Sequence, residues 1–226
     1  MPQNKVYSNL VFDLDGTLSN PQVGICNGIR YALTSMGVHP SPSDDFTGFI
    51  GASLHHSFQT RYFPDPHQTA RAVAYFRSYY AEKGLFENFL YEGIPELLNE
   101  LVKRYSLFVL TNKPKPFADR ILNHFGLSSC FTAIAGVDLV KPTAFKAELV
   151  PGLIASHPFL LPDATLMIGD TIHDVVCARS CGWDILALTW GFGREDDFRN
   201  SPPDAMVHSV KELRTVLLPA TDGVSV

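Results

Sequence analysis

Two carboxylates separated by one residue follow a short apolar run near the start of the chain. Residues 10–12 are typical of a buried strand, and Asp13 and Asp15 come directly after them. Side chains at positions i and i+2 of an extended segment point to the same side, so both carboxylates can converge on one site if the strand continues that far. Two close, poorly solvated carboxylates repel each other unless a divalent cation with oxygen ligands lies between them. The spacing therefore predicts a shared cation, with magnesium as the first choice.

The next two residues, Gly16 and Thr17, fit a turn at the end of this strand. Glycine lets the backbone leave the strand in a conformation that other residues resist, and the Thr17 hydroxyl can brace the turn or an adjacent carboxylate. The alternative is a solvated Asp-Gly turn, which is common. The position of this motif directly after an apolar strand favours a functional site over a solvated turn.

The composition of the 226 residues is that of a globular protein with one large domain, or a core with a modest insertion. The formal charge is 18 − 23 = −5, without a dense basic stripe, which argues against nucleic acid or an anionic membrane as a partner. No apolar run approaches a membrane span, and residues 1–10 are too polar for a signal peptide, so we expect a cytoplasmic protein. The four cysteines are too scattered for a disulfide framework or a zinc site and are expected in the core: Cys26, Cys130, Cys177 and Cys181.

Apolar periodicity divides the chain into two parts. From about Ser19 to Gly84 we find helical spacing and no strand with a period of two, which predicts a helical insertion. From Tyr91 onward, helices alternate with short apolar runs. Such alternation predicts an α/β fold with a parallel sheet covered on both faces. A helix is expected from near Ala144, with a kink or break at Pro151.

Polar side chains recur where the predicted parallel strands end, which is the edge at which open α/β sheets bind ligands. They are Asp13 and Asp15 after the first strand, Thr111 and Asn112 after the second core strand, Asp170 and Asp174 after a later one, and Lys141 and Lys146 between these. Carboxylates that hold a cation, a hydroxyl and amides that hold phosphate oxygens, and a lysine that neutralises developing charge are what a magnesium-assisted phosphoryl transfer needs.

The chain resembles the phosphatases of the haloacid dehalogenase superfamily, specifically the phosphoglycolate-phosphatase-like group with a helical cap. The resemblance spans nearly the whole chain and rests on four motifs in the family's order: Asp13-Leu14-Asp15-Gly16-Thr17, Thr111-Asn112-Lys113, a lysine, and Gly169-Asp170 with Asp174. It implies a Rossmann-like catalytic core formed by residues 1–18 and 86–226, with a small all-α cap at residues 19–85.

The resemblance also implies roles for the site residues. Asp13 would be the nucleophile that forms an aspartyl phosphate, and Asp15 the general acid and base. The metal set would be Asp13, Asp15, Asp170 and Asp174, the last through a bound water or an outer contact. Thr17, Thr111 and Asn112 would bind the substrate, Thr111 also serving catalysis. Because metal-independent dehalogenases lack an acid at the position of Asp15, carbon–halogen chemistry is not expected.

The site lysine is the point at which the sequence departs from the family pattern. Lys141-Pro142 matches the usual pair, but Ala144 replaces the second proline that the pattern has. Lys146 lies 24 residues before Asp170, against 29 for Lys141, and the shorter spacing is nearer to the family's. We therefore assign catalysis to Lys146 and retain Lys141 as a substrate-binding candidate.

The expected activity is magnesium-dependent hydrolysis of a small phosphomonoester, phosphoglycolate first. The alternatives are a 5′-nucleotidase-like phosphatase, a sugar-phosphate mutase of the same fold, and a regulatory binding module that has lost turnover. The chain is expected to be a monomer or a homodimer. Weaker candidates for site contacts are His55 and His56 in the insertion, His173 beside Asp170, and Arg194 after a Trp-Gly-Phe-Gly stretch.

Overall fold

The computed structural model describes residues 5–51, 53–139 and 145–219. Within these ranges the strands are β1 (Asn9–Phe12), β2 (Ser19–Asn20), β3 (Phe89–Leu90), β4 (Ser106–Pro114), β5 (Ala133–Val137), β6 (Thr165–Gly169), β7 (Asp184–Leu188) and β8 (Ala205–Val207). Six of these described strands form a parallel sheet in the order β5-β4-β1-β6-β7-β8. The predicted α/β class with a parallel sheet is confirmed.

Helices cover both faces of this sheet. The described α-helices, including those of the insertion, are α1 (Gln22–Ser35), α2 (Leu54–Arg61), α3 (Pro66–Tyr79), α4 (Ile94–Leu101), α5 (Lys115–His124), α6 (Val150–Ser156), α7 (Ile172–Ser180) and α8 (Val210–Leu217). Apolar residues of α4, α5 and α8 pack on one face, and those of α6 and α7 pack on the other. Among the described residues, no helix is both long and apolar enough to cross a membrane.

The central strand β1 is buried on both sides. Leu10 and Phe12 belong to the cluster on one face and Val11 to the cluster on the other, and all three side chains are inaccessible to solvent. A continuous apolar run is what a strand between two helical layers requires.

The register of the sheet brings the strand ends together. Phe12, the last residue of β1, pairs with Val109 of β4 and Ile168 of β6. The Asp13 amide then donates to the Ile168 carbonyl at 2.9 Å. The residues that follow these strands therefore meet at one edge of the sheet.

The insertion contains α1, α2 and α3, followed by a π-helical turn at Tyr80–Gly84. Ile29, Phe58 and Phe76 from these helices belong to the same apolar cluster as Leu10. One short strand occurs at the base of the insertion, where β2 pairs antiparallel with β3. A two-residue strand is too short to show a period of two. The assignment of residues 19–85 as a separate cap domain stays a prediction.

The helix expected from near Ala144 begins, within the described residues, as a 3₁₀ turn at Lys146–Leu149 and becomes α6 at Val150. Ala144 lies outside the described residues. Pro151 lies in the first turn of α6, where a missing amide proton leaves no hydrogen bond unmade. The predicted break thus occurs as a change of helix type just before the proline.

Candidate active site

Three carboxylates from two strand ends and a helix form a buried cluster. Asp13 follows β1, Asp170 follows β6 and Asp174 lies in the first turn of α7. One oxygen from each of them lies within 4.8 Å of the others. Asp170 and Asp174 are fully buried, and Asp13 is 7% exposed. Such a group requires compensating positive charge, because like charges in a poorly solvated place repel strongly.

Asp170 is held from two sides by parts of the chain that are distant in sequence. The Thr17 hydroxyl donates to Asp170 Oδ1 at 2.9 Å, which confirms the interpretation that Thr17 braces an adjacent carboxylate. The Phe192 amide donates to Asp170 Oδ2 at 2.7 Å. A Cβ atom at Gly16 or Gly191 would lie 2.2 Å from Oδ2, so both positions need glycine for this close approach. Gly16 also has a positive φ of 85°.

Asp174 caps its own helix and also binds a lysine. Its Oδ2 accepts from the Thr171 amide at 2.9 Å and from the Thr171 hydroxyl at 2.8 Å. Its Oδ1 accepts from the Lys146 ammonium. These contacts fix the carboxylate against rotation.

Lys146 is the lysine that the structure places in the acidic cluster. It is 2% exposed, and its Nζ lies 3.1 Å from Asp13 Oδ2 as well as on Asp174. Its backbone amide donates to Asn112 Oδ1 at 2.8 Å, which ties the 3₁₀ turn to β4. Burial lowers the pKa of Lys146, but the two carboxylates outweigh burial and the net pKa is raised. Lys141 lies outside the described residues.

The raised pKa values of two carboxylates in the cluster indicate that Lys146 alone does not neutralise the negative charge of the cluster. Burial raises the pKa of Asp13 to about 6, although Lys146 opposes the change. Burial, with Asp174 and Asp13, raises the pKa of Asp170 to about 8. Asp13 Oδ1 is buried, and no group in the described part of the chain donates a hydrogen bond to it. An unpartnered oxygen within an all-oxygen donor set fits a hard divalent cation such as magnesium.

Asp15 is not part of this cluster, although the alternation of an extended strand predicted that it would converge with Asp13. Strand β1 ends at Phe12, so the alternation does not extend to Asp15. Its Oδ2 instead accepts from the Lys113 ammonium, which also donates to the Tyr80 hydroxyl at 2.9 Å. The structure thus places the side chain on Lys113, and Asp15 as a metal ligand stays a prediction.

Lys113 and Tyr80 are site residues that the sequence did not identify. Burial lowers the pKa of Lys113, but Asp15 and Tyr80 outweigh burial and raise it. Lys113 is the last residue of the Thr111-Asn112-Lys113 motif. The motif indicated that Lys113 lies near the site, but not that it binds Asp15. Tyr80 is one of several aromatic residues in the helical insertion, where an aromatic side chain is usually part of the core, so no signal in the sequence marked it as a site residue.

The remaining predicted residues divide by position. Thr111 and Asn112 line a cleft with Asp13 and Asp15. The Thr17 hydroxyl is buried against Asp170, so a contact of Thr17 with substrate has no support in this geometry. Of the weaker candidates, His55 lines the cleft, whereas the side chains of His56, His173 and Arg194 are exposed.

The cleft lies between the insertion and the strand ends. The cleft is lined largely by apolar and aromatic side chains, and Lys113 and Asp15 also line it. Its apolar lining consists of Ile25, Phe49, Leu54, Val73, Phe76, Phe117, Val137 and Phe145. A substrate in this cleft would contact both parts of the fold.

The family model of the haloacid dehalogenase-like hydrolases matches residues 10–188, which include all the carboxylates described above. The chain belongs to this family. Its buried acidic cluster thus lies within the haloacid dehalogenase-like hydrolase region of the sequence.

Relatives of this hydrolase have several names. A 5′-nucleotidase from Pseudomonas aeruginosa is 37% identical over 212 residues, covering 93% of this chain and 96% of that protein. The tyrosine-protein kinase PtkA of Mycobacterium tuberculosis is 32% identical over 212 residues, covering 92% of this chain and 72% of that protein. A phosphoglycolate phosphatase from Vibrio parahaemolyticus is 27% identical over 218 residues, covering 92% and 95%.

A solved structure of a hydrolase with the same fold supports the architecture. The crystal structure of a predicted phosphatase from Clostridium acetobutylicum superimposes with a TM-score of 0.86 at 33% identity, covering 94% of this chain and 99% of that one. With the phosphatases among the relatives, this similarity identifies the haloacid dehalogenase-like hydrolase as a phosphatase.

Proposed function

We propose that this phosphatase is a magnesium-dependent hydrolase of a small organic phosphomonoester, and that Asp13 forms an aspartyl phosphate during turnover. The observation that carries the proposal is the position of Asp13. Its carboxylate lies between the Lys146 ammonium and two further buried carboxylates, at the edge of an open cleft.

Asp13, Asp170 and Asp174 would hold the cation. When bound, magnesium neutralises phosphate charge and lowers the repulsion between an anionic nucleophile and an anionic substrate. Lys146 contributes a second positive charge on Asp13 Oδ2. Thr17 and the Phe192 amide keep Asp170 in position, since both donate to its carboxylate.

In the first step, a carboxylate oxygen of Asp13 forms a bond to phosphorus while the bond from phosphorus to the alcohol oxygen breaks. Asp15 gives its proton to the leaving oxygen. In the second step, Asp15 takes a proton from water, and the water oxygen displaces Asp13 from phosphorus. The Lys113 ammonium contacts the Asp15 carboxylate and holds it at the cleft.

Phosphate oxygens would be bound by the Thr111 hydroxyl, Asn112 and Lys146. Thr111 is 2% exposed and its hydroxyl accepts from the Lys113 amide at 3.2 Å, which leaves its own proton free to donate. The Asn112 side chain accepts a hydrogen bond from the Lys146 amide, so the two residues that would bind phosphate are linked to each other.

Phosphoglycolate is the first candidate substrate because relatives at 26–29% identity bear that name. A nucleoside 5′-monophosphate is the second, supported by the relative named 5′-nucleotidase. A sugar-phosphate mutase would instead return the phosphoryl group to substrate. We also propose a cytoplasmic location, which suits the four free cysteines.

Inorganic phosphate release from a panel of metabolite phosphates, with magnesium and with chelator, tests the proposal. We expect release only with the cation and none from Asp13→Asn. Asp163→Asn is the matched control, because the Asp163 side chain is 95% exposed. Magnesium-independent release, or isomerised product without phosphate, would contradict the proposal.

A further inference from the structure

The cleft contains a guanidinium group that has no partner among the residues that the structure describes. Arg77 lies in the last turn of α3, is half-buried and lines the same cleft as Asp13. Among the described residues, its guanidinium makes no hydrogen bond or ion pair, and burial alone lowers its pKa. By contrast, the guanidinium of Arg30 donates to the Pro42 and Asp44 carbonyls, and that of Arg61 donates to the Gly48 carbonyl.

Arg77 lines the same cleft as Asp15, the acid that would protonate the leaving alcohol. Val73, Phe76, Arg77 and Tyr80 have helical spacing i, i+3, i+4 and i+7, and all four line the cleft. The Tyr80 hydroxyl accepts from Lys113, which holds Asp15. Arg77 thus lies about one helical turn from a residue that contacts the Lys113–Asp15 pair.

The two described lysines near the reacting phosphate already have roles there, which leaves Arg77 available for a second anionic group. Lys113 is already bound to Asp15, and Lys146 is bound to Asp13 and Asp174. The neighbours of Arg77 on this helix face are apolar. A half-buried guanidinium beside apolar side chains is poorly solvated, and a carboxylate or phosphate that accepts two of its N–H groups compensates that loss.

We propose that Arg77 binds a second anionic group, a carboxylate or a phosphate, carried by the leaving alcohol of the substrate. The substrate class is then a small phosphomonoester with an additional negative group, rather than a nucleoside monophosphate, whose leaving alcohol is neutral. The inference rests on the proposed phosphatase function of the same site.

Three phosphate esters of two-carbon alcohols test this assignment. Phosphoglycolate carries a carboxylate, ethylene glycol bisphosphate carries a second phosphate, and 2-hydroxyethyl phosphate carries a neutral hydroxyl at that position. We expect Arg77→Ala to lower kcat/KM roughly 10- to 100-fold for the anionic compound that is the better substrate, mainly through KM. Hydrolysis of 2-hydroxyethyl phosphate should change little. Preference of the wild type between the two anionic compounds identifies the group.

Two further variants separate recognition from structure. Arg77→Lys keeps the charge and should restore part of the lost affinity, and Arg71→Ala removes an exposed arginine from the same helix and should have no effect. If Arg77→Ala is unstable, Arg77→Gln replaces it in the same assay. An equal loss for all three compounds, or a wild-type preference for 2-hydroxyethyl phosphate, would overturn the assignment. Failure of the phosphatase function is distinct, because the wild type would then release no phosphate even from p-nitrophenyl phosphate.

Discussion

The ammonium of Lys146 lies 3.1 Å from Asp13 Oδ2, although the two residues are far apart in sequence. Lys146 enters the site from a 3₁₀ turn that is tied to β4 through Asn112. The sheet register thereby places the buried ammonium group of Lys146 beside the carboxylate of Asp13, the proposed nucleophile.

We expect Lys146→Ala to lower kcat/KM roughly 10²-fold or more, because the variant removes the positive charge beside the reacting carboxylate. Lys141→Ala should retain activity within a few fold. Both variants are compared by initial rates of phosphate release. Since removal of one partner leaves buried carboxylates uncompensated, thermal unfolding of Lys146→Ala is measured as well. A large loss in Lys141→Ala with little in Lys146→Ala would reverse the assignment.

Asp15→Asn should affect substrates according to their leaving groups. An alkyl phosphate needs a proton on its leaving oxygen, so we expect a loss of about 10²- to 10⁴-fold. For p-nitrophenyl phosphate the first step needs no acid, and the variant should accumulate phosphoenzyme, because the second step lacks its base. Rapid-quench kinetics measure both effects, with Asp163→Asn as an exposed control. Equal losses for both substrates and no accumulated phosphoenzyme would contradict the role of Asp15.

Gly191→Ala tests the close approach of a loop to Asp170. The new Cβ would lie 2.2 Å from Asp170 Oδ2, so the carboxylate or the loop must move. We expect roughly 10- to 100-fold weaker magnesium activation, the usual cost of disturbing an outer contact of a metal ligand. Gly152→Ala is the matched control, since nothing lies within 4 Å of its Cβ. Unchanged magnesium dependence in Gly191→Ala would show that this contact is unimportant.

Magnesium binding should strengthen as pH rises. The pKa of Asp170 is raised from 3.8 to about 8, so the metal-free folded chain holds this proton more tightly than the unfolded chain. The Asp170 carboxyl therefore stabilises the folded state in full at pH values below its ordinary pKa. This contribution to the free energy of unfolding is lost as the pH rises through 8. Since the cation competes with the proton, we expect roughly tenfold or more weaker binding at pH 6 than at pH 8.

Calorimetric titration of magnesium and the melting temperature with chelator measure these two effects. The decrease in melting temperature between pH 5 and pH 8 should be smaller in Asp170→Asn, which has no titrating carboxyl at that position. Magnesium affinity independent of pH in the wild type would contradict the assignment of Asp170 to the cation site.

The parts of the fold and site that depend on local pattern were predictable from the sequence. The apolar run at residues 10–12 predicted a strand buried on both faces, and the polar residues after successive strands predicted that Asp13 and Asp170 would meet. This prediction is confirmed, because parallel strands in register necessarily bring their carboxyl ends to one edge.

The contacts that depend on loop geometry were not predictable in the same way. The strand alternation does not extend to Asp15, because β1 ends before the pair and Gly16 turns the chain. The Phe192 amide binds Asp170 through its backbone, which no residue type reveals. The Trp-Gly-Phe-Gly stretch drew attention to Arg194, whereas Gly191 is the residue that permits the approach.

The most direct test of the account is a single turnover with ³²P-labelled substrate, quenched in acid and mapped by peptide. We predict label on the peptide that contains Asp13, released by hydroxylamine as expected for an acyl phosphate, and no label in Asp13→Asn or with chelator. Turnover of the wild type without any label on Asp13, together with full activity of Asp13→Asn, would contradict the central claim.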